Sequence, residues 1–178
     1  MIGLLCRNET CRYEAINLCK QFFPGHSVSQ TESGDFQVEV SIPYQNEQEV
    51  ATRVIVCSEK GCFEGNASAP RSEYLGAPDL DVAMGKAFYQ AALPCTGYSP
   101  PWGILTGIRP VKLFKGLIGE VGLEETQRLF REEFYVSADK TQLCTQVALC
   151  ELRELSPVEP QDCSLYISIP FCPTRCSY

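Results

Sequence analysis

A chain of 178 residues that is 44% hydrophobic and 21% charged has the composition of a folded protein, long enough for one core or for one core and part of another. Its formal charge of −7, with no run of Lys or Arg, excludes a general nucleic-acid or anionic-membrane surface, because both draw on a basic patch for counterion release. No apolar run approaches the roughly 20 residues that span a bilayer, and MIGLLC lacks the basic start and the length of a secretory signal, so the expectation is a cytoplasmic protein with no membrane span.

In chain order, residues 1–6 predict a short apolar strand. A helix follows, with Thr10 as its cap and Cys11, Ala15, Ile16, Cys19, Phe22 and Phe23 on one face at helical spacing. Pro24-Gly25 stops it. Residues 27–32 and 35–42 predict two strands joined as a hairpin at Ser33-Gly34. In the second, Phe36, Val38, Val40 and Ile42 alternate with Gln37, Glu39 and Ser41, the pattern of a sheet with one wet face. Residues 50–57 make a further strand, and a Gly-, Ser- and Pro-rich crossing covers 61–78. The sum is a β-α-β-β-β leader over residues 1–78, of the α+β class.

A helical segment is expected over 79–155. Its first helix spans 79–92, ending before Leu93-Pro94. The second starts at Pro110, whose missing N–H costs nothing at a first helical position, and runs to about Glu120. A third follows Gly122 with Leu123, Phe130 and Phe134 as apolar anchors. The fourth runs from Ser137 to about Leu155 and carries Leu143, Cys144, Val147 and Cys150 inward. SPVEPQDC, residues 156–163, is linker-like. Residues 164–178 open a new unit: a strand over 165–169, with Leu165, Ile167 and Ile169 on one side and Tyr166 and Ser168 on the other.

Eleven cysteines are spread along the chain, an odd number with no CxxC pair and a single histidine, His26. This suits neither a secreted disulfide framework nor a zinc site. Most fall on apolar faces, where free Cys acts as a small hydrophobe. Cys57 and Cys62 straddle a strand end and read as one buried thiol and one exposed one rather than as metal ligands. His26 reads as a turn residue without an acid–base partner. Glu124, Glu125, Glu132 and Glu133 read as solvated helix faces.

Chemistry concentrates at the end. Cys172 and Cys176 follow the last predicted strand with three residues between them, and Pro173 stiffens the loop. Soft thiolate sulfur suits iron in iron–sulfur clusters, although two cysteines do not complete a [4Fe-4S] site. The stretch LYISIPFCPTRCSY, residues 165–178, resembles the start of the radical S-adenosylmethionine (SAM) core of the oxygen-independent coproporphyrinogen III oxidase (dehydrogenase) family. That family's pattern is Tyr-x-His-Ile-Pro-Phe-Cys-x-x-x-Cys-x-Tyr-Cys, and Tyr166, Ile169, Pro170, Phe171, Cys172, Cys176 and Tyr178 match in register.

The resemblance implies that the chain is the N-terminal part of a longer enzyme, with residues 164–178 the start of a truncated radical SAM partial (β/α) barrel. Cys172 and Cys176 would be the first two ligands of a [4Fe-4S] cluster, and Tyr166 would lie beside the cluster and S-adenosyl-L-methionine. The implied substrate is coproporphyrinogen III or a related tetrapyrrole, decarboxylated by a 5′-deoxyadenosyl radical, with a reductant protein feeding the cluster. The fragment alone would be inactive. Ser168 stands where the pattern has histidine, so no imidazole is available there. The family also includes haem chaperones that keep the cluster, and the leader has a second reading as a non-catalytic module for binding substrate or a partner.

A second segment, PPWGILTGIRPVKLF (residues 100–114), resembles a stretch ahead of the core in a subgroup of coproporphyrinogen dehydrogenases. Gly103 and Gly107 feed the helix at Pro110 with Arg109 beside its positive end, an arrangement able to receive an anion such as a propionate carboxylate. The preferred reading is a tight loop in which Trp102 packs and Arg109 meets an acidic neighbour.

Overall fold

The computed structural model describes residues 1–30, 34–70, 79–107, 109–154, 161–163, 165–168 and 171. In chain order the elements are β1 (Ile2–Cys6), α1 (Glu9–Phe22), β2 (Val28–Ser29), β3 (Phe36–Gln45), β4 (Glu49–Ser58), β5 (Gly61–Pro70), α2 (Asp79–Thr96), α3 (Pro110–Val121), α4 (Leu123–Glu132) and α5 (Ala138–Glu154). The fold is α+β: among the described residues, one open five-stranded sheet and five helices.

The sheet order is β2-β1-β3-β4-β5. This overturns the expected hairpin at Ser33-Gly34. Both β2 and β3 pair in parallel with β1, Val28 and Phe36 flanking Ile2 from opposite sides. The reason lies in β1 itself. IGLLC is apolar throughout, the composition of a strand inside a sheet, and it takes a parallel neighbour on each edge. The chain therefore passes the start of β1 rather than turning back. Gly34 makes room for this, since a Cβ there would lie 2.7 Å from the Met1 carbonyl oxygen and 2.8 Å from the Gly3 nitrogen.

From β3 onward the sheet is an antiparallel meander. Its last strand, β5, occupies residues expected as a crossing. Side-by-side register places Leu4, Val38, Val56 and Phe63 in one inward row and Cys6, Val40, Val54 and Gly65 in the next. Against these rows lie α1, through Cys11, Ala15, Leu18, Cys19 and Phe22, and α2, through Met84, Ala87, Phe88, Ala91 and Ala92. Each fully buried large side chain in such a layer contributes about 1.5–3 kcal/mol. The row ends in Gly65 because α2 presses on the strand there: a Cβ would sit 2.0 Å from the Ala87 carbonyl oxygen. The other sheet face carries Gln37, Glu39, Ser41, Arg53 and Glu64, and the last two form a two-pronged ion pair.

Several helix ends differ from expectation. Asn8, not Thr10, caps α1, its side-chain oxygen accepting from the Thr10 N–H at 2.9 Å. Helix α2 continues through Pro94 to Thr96. Pro94 and Gln90, whose carbonyl loses its usual donor, are both exposed, so the break in the ladder is made where solvent reaches it. Helix α5 buries Thr141, Cys144 and Ala148, whereas Leu143 and Cys150 are exposed. The small residues at spacings of three and four set the face that fits against α3 and α4.

Helix α2, with which the helical segment begins, packs mainly on β4 and β5. Helices α3, α4 and α5 enclose a second cluster around Phe114, Leu117, Phe130, Phe134 and Cys144. Of the strand expected at 165–169, residues 165–168 pair with no strand among the described residues, and Ile169 lies outside them. Leu165, Tyr166 and Ile167 are 85%, 88% and 79% exposed. Without a neighbouring strand, the alternation of apolar and polar residues has no sheet to face.

The segment between α2 and α3 joins the two clusters. Gly103, at a φ of +59°, has no space beside it: a Cβ would meet the Phe134 carbonyl oxygen at 1.9 Å. Replacing Gly103 by Ala is expected to cost at least about 3 kcal/mol, combining left-handed backbone strain with forced displacement of residues 134–135. The contrasting change is Gly116→Ala, on the exposed face of α3 with open space around it, which should stabilise by about 1 kcal/mol through helix propensity. Urea unfolding of the two variants beside the parent chain measures both.

Candidate functional site

Two regions carry the residues singled out in the sequence. At the chain's end, Tyr166 is exposed, while Cys172 and Cys176 lie outside the described residues. Among the described residues no group of three or more His, Cys, Asp or Glu side chains is placed to hold a metal ion. The donor chemistry of Cys172 and Cys176 fits iron–sulfur ligation in type, with two soft sulfurs from this chain.

The second region is residues 100–114, of which 100–107 form a tight loop and 110–114 open α3, with Ile108 outside the described residues. The Gly103 N–H donates to the Pro100 carbonyl (2.9 Å) and the Leu105 N–H to the Trp102 carbonyl (3.0 Å). Two bonds clamp this loop to the turn after α4: Ile104 N–H to the Phe134 carbonyl, 2.9 Å, and Ser137 N–H to the Pro101 carbonyl, 3.0 Å. The turn accepts this through a positive φ of 55° at Tyr135, whose ring stacks on Tyr89 with centroids 4.3 Å apart. Trp102 packs against the helical cluster with the Lys140 ammonium 5.3 Å over its ring. On its other side the loop is held by α1. Gln21 donates to the Gly103 carbonyl at 2.6 Å, and the Thr106 hydroxyl donates to Glu14.

Arg109 departs from the preferred reading. It is exposed and has no ion-pair partner among the described residues. With Lys112, Lys115 and Glu151 it borders a shallow recess of about 470 Å³ at the start of α3. Lys115 is occupied by Glu151, 2.8 Å away. The acidic residues of α4 are also not simply solvated. Arg128 bridges Glu125 and Glu132, and Glu133 reaches Lys86 on α2.

Two carboxyl groups beside the loop are perturbed. Burial pushes the Glu14 carboxyl above its ordinary value, the Thr106 hydroxyl opposes the shift, and the nearby Asp81 charge adds to it. Asp81 is itself raised, first by burial and then by Asp79. His26 is exposed, its Nδ1 3.3 Å from the Pro24 carbonyl oxygen and its ring edge-on to Phe36, which is the turn role expected of it.

The cysteines divide sharply. Cys6, Cys11, Cys19, Cys95 and Cys144 are buried thiols, and burial, the largest cause, pushes Cys11 and Cys19 up to about 12. Cys57 and Cys62, expected as separate thiols, are joined in a disulfide. They face each other in register across β4 and β5, a pairing that follows once residues 61–70 are a strand. The sequence did contain the signal: Gly61 marks a bend at Glu59-Lys60, and the two cysteines stand at equal distance on either side of that pair.

An α+β chain whose helical part is keyed to its sheet by one glycine loop is the class these features define. No family model matches the chain, and no solved structure does. Over 87 aligned residues, 47% of this chain, it is 37% identical to the oxygen-independent coproporphyrinogen-III oxidase-like protein HemZ of Bacillus subtilis (strain 168). That stretch is 17% of the length of the curated relative, so the chain is a partial relative of a coproporphyrinogen-oxidase-like protein.

The raised Glu14 gives a pH prediction. A carboxyl whose folded value lies above its unfolded one, ordinarily 4.5, stabilises the fold below that value and loses the contribution as pH rises through the folded value. Glu14→Gln keeps an acceptor for Thr106 and removes the charge. The variant should gain stability relative to the parent between pH 4.5 and neutrality, with the difference vanishing below pH 4. Urea midpoints across this range test it, and an unchanging difference would show that Glu14 does not titrate abnormally.

Proposed function

We propose that this chain belongs to a protein of porphyrin and haem biosynthesis, and that the protein carrying it is an oxygen-independent coproporphyrinogen III dehydrogenase. The observation that carries the reading is the 37% identity to a coproporphyrinogen-oxidase-like relative. The register of Tyr166, Ile169-Pro170-Phe171, Cys172 and Cys176 with the radical SAM pattern speaks for the same reading. In this reading residues 164–178 are the first strand and cluster loop of a partial (β/α) barrel. Cys172 and Cys176 hold two irons of a [4Fe-4S] cluster, and a third cysteine supplied by the parent protein completes the set. Bound cluster and S-adenosyl-L-methionine supply the radical chemistry that converts coproporphyrinogen III to protoporphyrinogen IX, with a reductant protein as electron source.

The protein's own contribution is to place and shield. In this reading the fixed φ of Pro170 and Pro173 would restrict the loop around Cys172 before ligation, with Tyr166 six residues ahead of that cysteine. The chain residues 1–154 are a supporting or substrate-positioning unit. A second reading, a haem chaperone of the same family, is favoured by one observation: Ser168 replaces the pattern's histidine and removes an imidazole from the strand.

The test is anaerobic reconstitution of the parent protein, including its third cysteine, with iron, sulfide and S-adenosyl-L-methionine. Release of carbon dioxide from coproporphyrinogen III is the expected result, and Cys172→Ser or Cys176→Ser should reduce both cluster absorbance and product to background. Tight haem binding with no carbon dioxide released would replace the dehydrogenase by the chaperone.

A further inference from the structure

We propose that Cys57 and Cys62 form a reversible thiol–disulfide couple at the tip of the β4–β5 hairpin, a modification site that exchanges with low-molecular-weight thiols in solution. The proposal stands apart from the function proposed above, because it rests on a different part of the chain.

The first observation is register. Cys57 and Cys62 are direct partners in the antiparallel ladder, with Cα atoms 4.0 Å apart. Directly opposed residues of this kind approach to about 4.5 Å without any cross-link when they do not share backbone bonds. The ladder thus brings the sulfurs together by itself, whether or not they are bonded. Ser58 and Gly61 pair beyond them, and Val56–Phe63 and Val54–Gly65 pair below. Helix α2 presses on Gly65 from one side. A separation of five residues also makes the closed loop very short, so the bond restricts the unfolded chain little. Neither state of the couple is needed to fold the hairpin.

The second observation is access. Cys62 is exposed and Cys57 is half-buried on the outer side of the sheet, whereas Cys6, Cys11, Cys19, Cys95 and Cys144 are buried. Beside the pair opens a cleft of about 960 Å³, bordered by Phe36, Cys57, Ser58, Lys60, Cys95 and Tyr98. The cleft reaches Cys57 and the wall that holds Cys95, while Cys62 lies open on the surface outside it, and that exposure is what the buried cysteines lack. Cys95 sits in its wall with its thiol donating to the Ser58 hydroxyl at 3.4 Å, so the buried thiol is engaged while the exposed disulfide is open.

Exchange follows from this placement. A solution thiolate attacks the exposed Sγ of Cys62, a mixed disulfide forms as the Sγ–Sγ bond breaks, and Cys57 leaves as a thiolate that takes a proton from water. A second solution thiolate attacks the sulfur of the first, releasing Cys62. Two small thiols become one small disulfide, and their two hydrogens end on Cys57 and Cys62. Oxidised small thiol drives the same steps backward.

The experiment equilibrates the full chain without oxygen in buffers of graded oxidised-to-reduced glutathione. Samples are then quenched with acid, alkylated and mapped by peptide mass spectrometry, with far-ultraviolet circular dichroism recorded on each. The expected result is that Cys57 and Cys62 convert together and reversibly while ellipticity stays constant and Cys11 and Cys19 stay unmodified. In Cys57→Ser, one glutathione should remain on Cys62. The proposal is overturned if the bond resists reduction until denaturant is added, if reduction abolishes ellipticity, or if both thiols stay free at the most oxidising ratio. The wild-type series decides the matter even where the variant folds poorly.

Discussion

At Gly103 the backbone of one loop lies so close to the backbone of another that a single methyl group has nowhere to go. Much of the described molecule is arranged around that contact. The loop that contains it accepts a hydrogen bond from α1, through Gln21, and with the turn after α4 it donates one bond and accepts another. Because α1 lies on the sheet and the turn closes the helical cluster, the position of α3, α4 and α5 is set by the approach distance at one residue. The stacked Tyr89 and Tyr135 rings and the Lys86–Glu133 ion pair add side-chain contacts across the same seam. Aromatic pairs of this kind add about 0.5–1.5 kcal/mol beyond burial, which is less than a displaced backbone would cost.

The same seam explains why a carboxyl is tolerated there. Glu14 sits where the loop covers α1, and the Thr106 hydroxyl partly offsets the penalty of burying its charge. Lys86 and Glu133 offset the cost of their partial burial by pairing with each other. The exposed Arg53–Glu64 and Arg128 pairs, by contrast, add little to stability and serve the solubility of their surfaces.

What was legible in the sequence depended on whether a local pattern was enough. Alternation in residues 36–42 and helical spacing in 11–22 gave β3 and α1, because each carries its own apolar face. Pro110 and Gly122 gave the ends of α3 for the same local reason. The pairing of β2 and β3 was misread, because Ser33-Gly34 looks like a turn and only the demand of β1 for two neighbours decides otherwise. Strand β5 was missed since Gly61, Gly65, Asn66 and Pro70 give it a loop's composition, and its inward glycine is explained only by the helix above it. Missing β5 also hid the disulfide. Of the candidate site, the spacing of Cys172 and Cys176 is a local pattern that falls outside the described residues, whereas the clamp around Gly103 depends on a turn 31 residues later.

The outer side of β5 has a consequence for how this sheet meets other chains. An edge strand ordinarily presents free N–H groups that another strand can copy. Here the N–H of Asn66, midway along the edge, is taken by the Gln90 side chain of α2 at 3.0 Å, and Pro70 ends the strand with no N–H at all. At the opposite edge β2 offers only two residues, Val28 and Ser29. A growing β-ribbon would find one border guarded by a glutamine and the other too short to hold, so an open sheet of five strands resists templating further copies of itself.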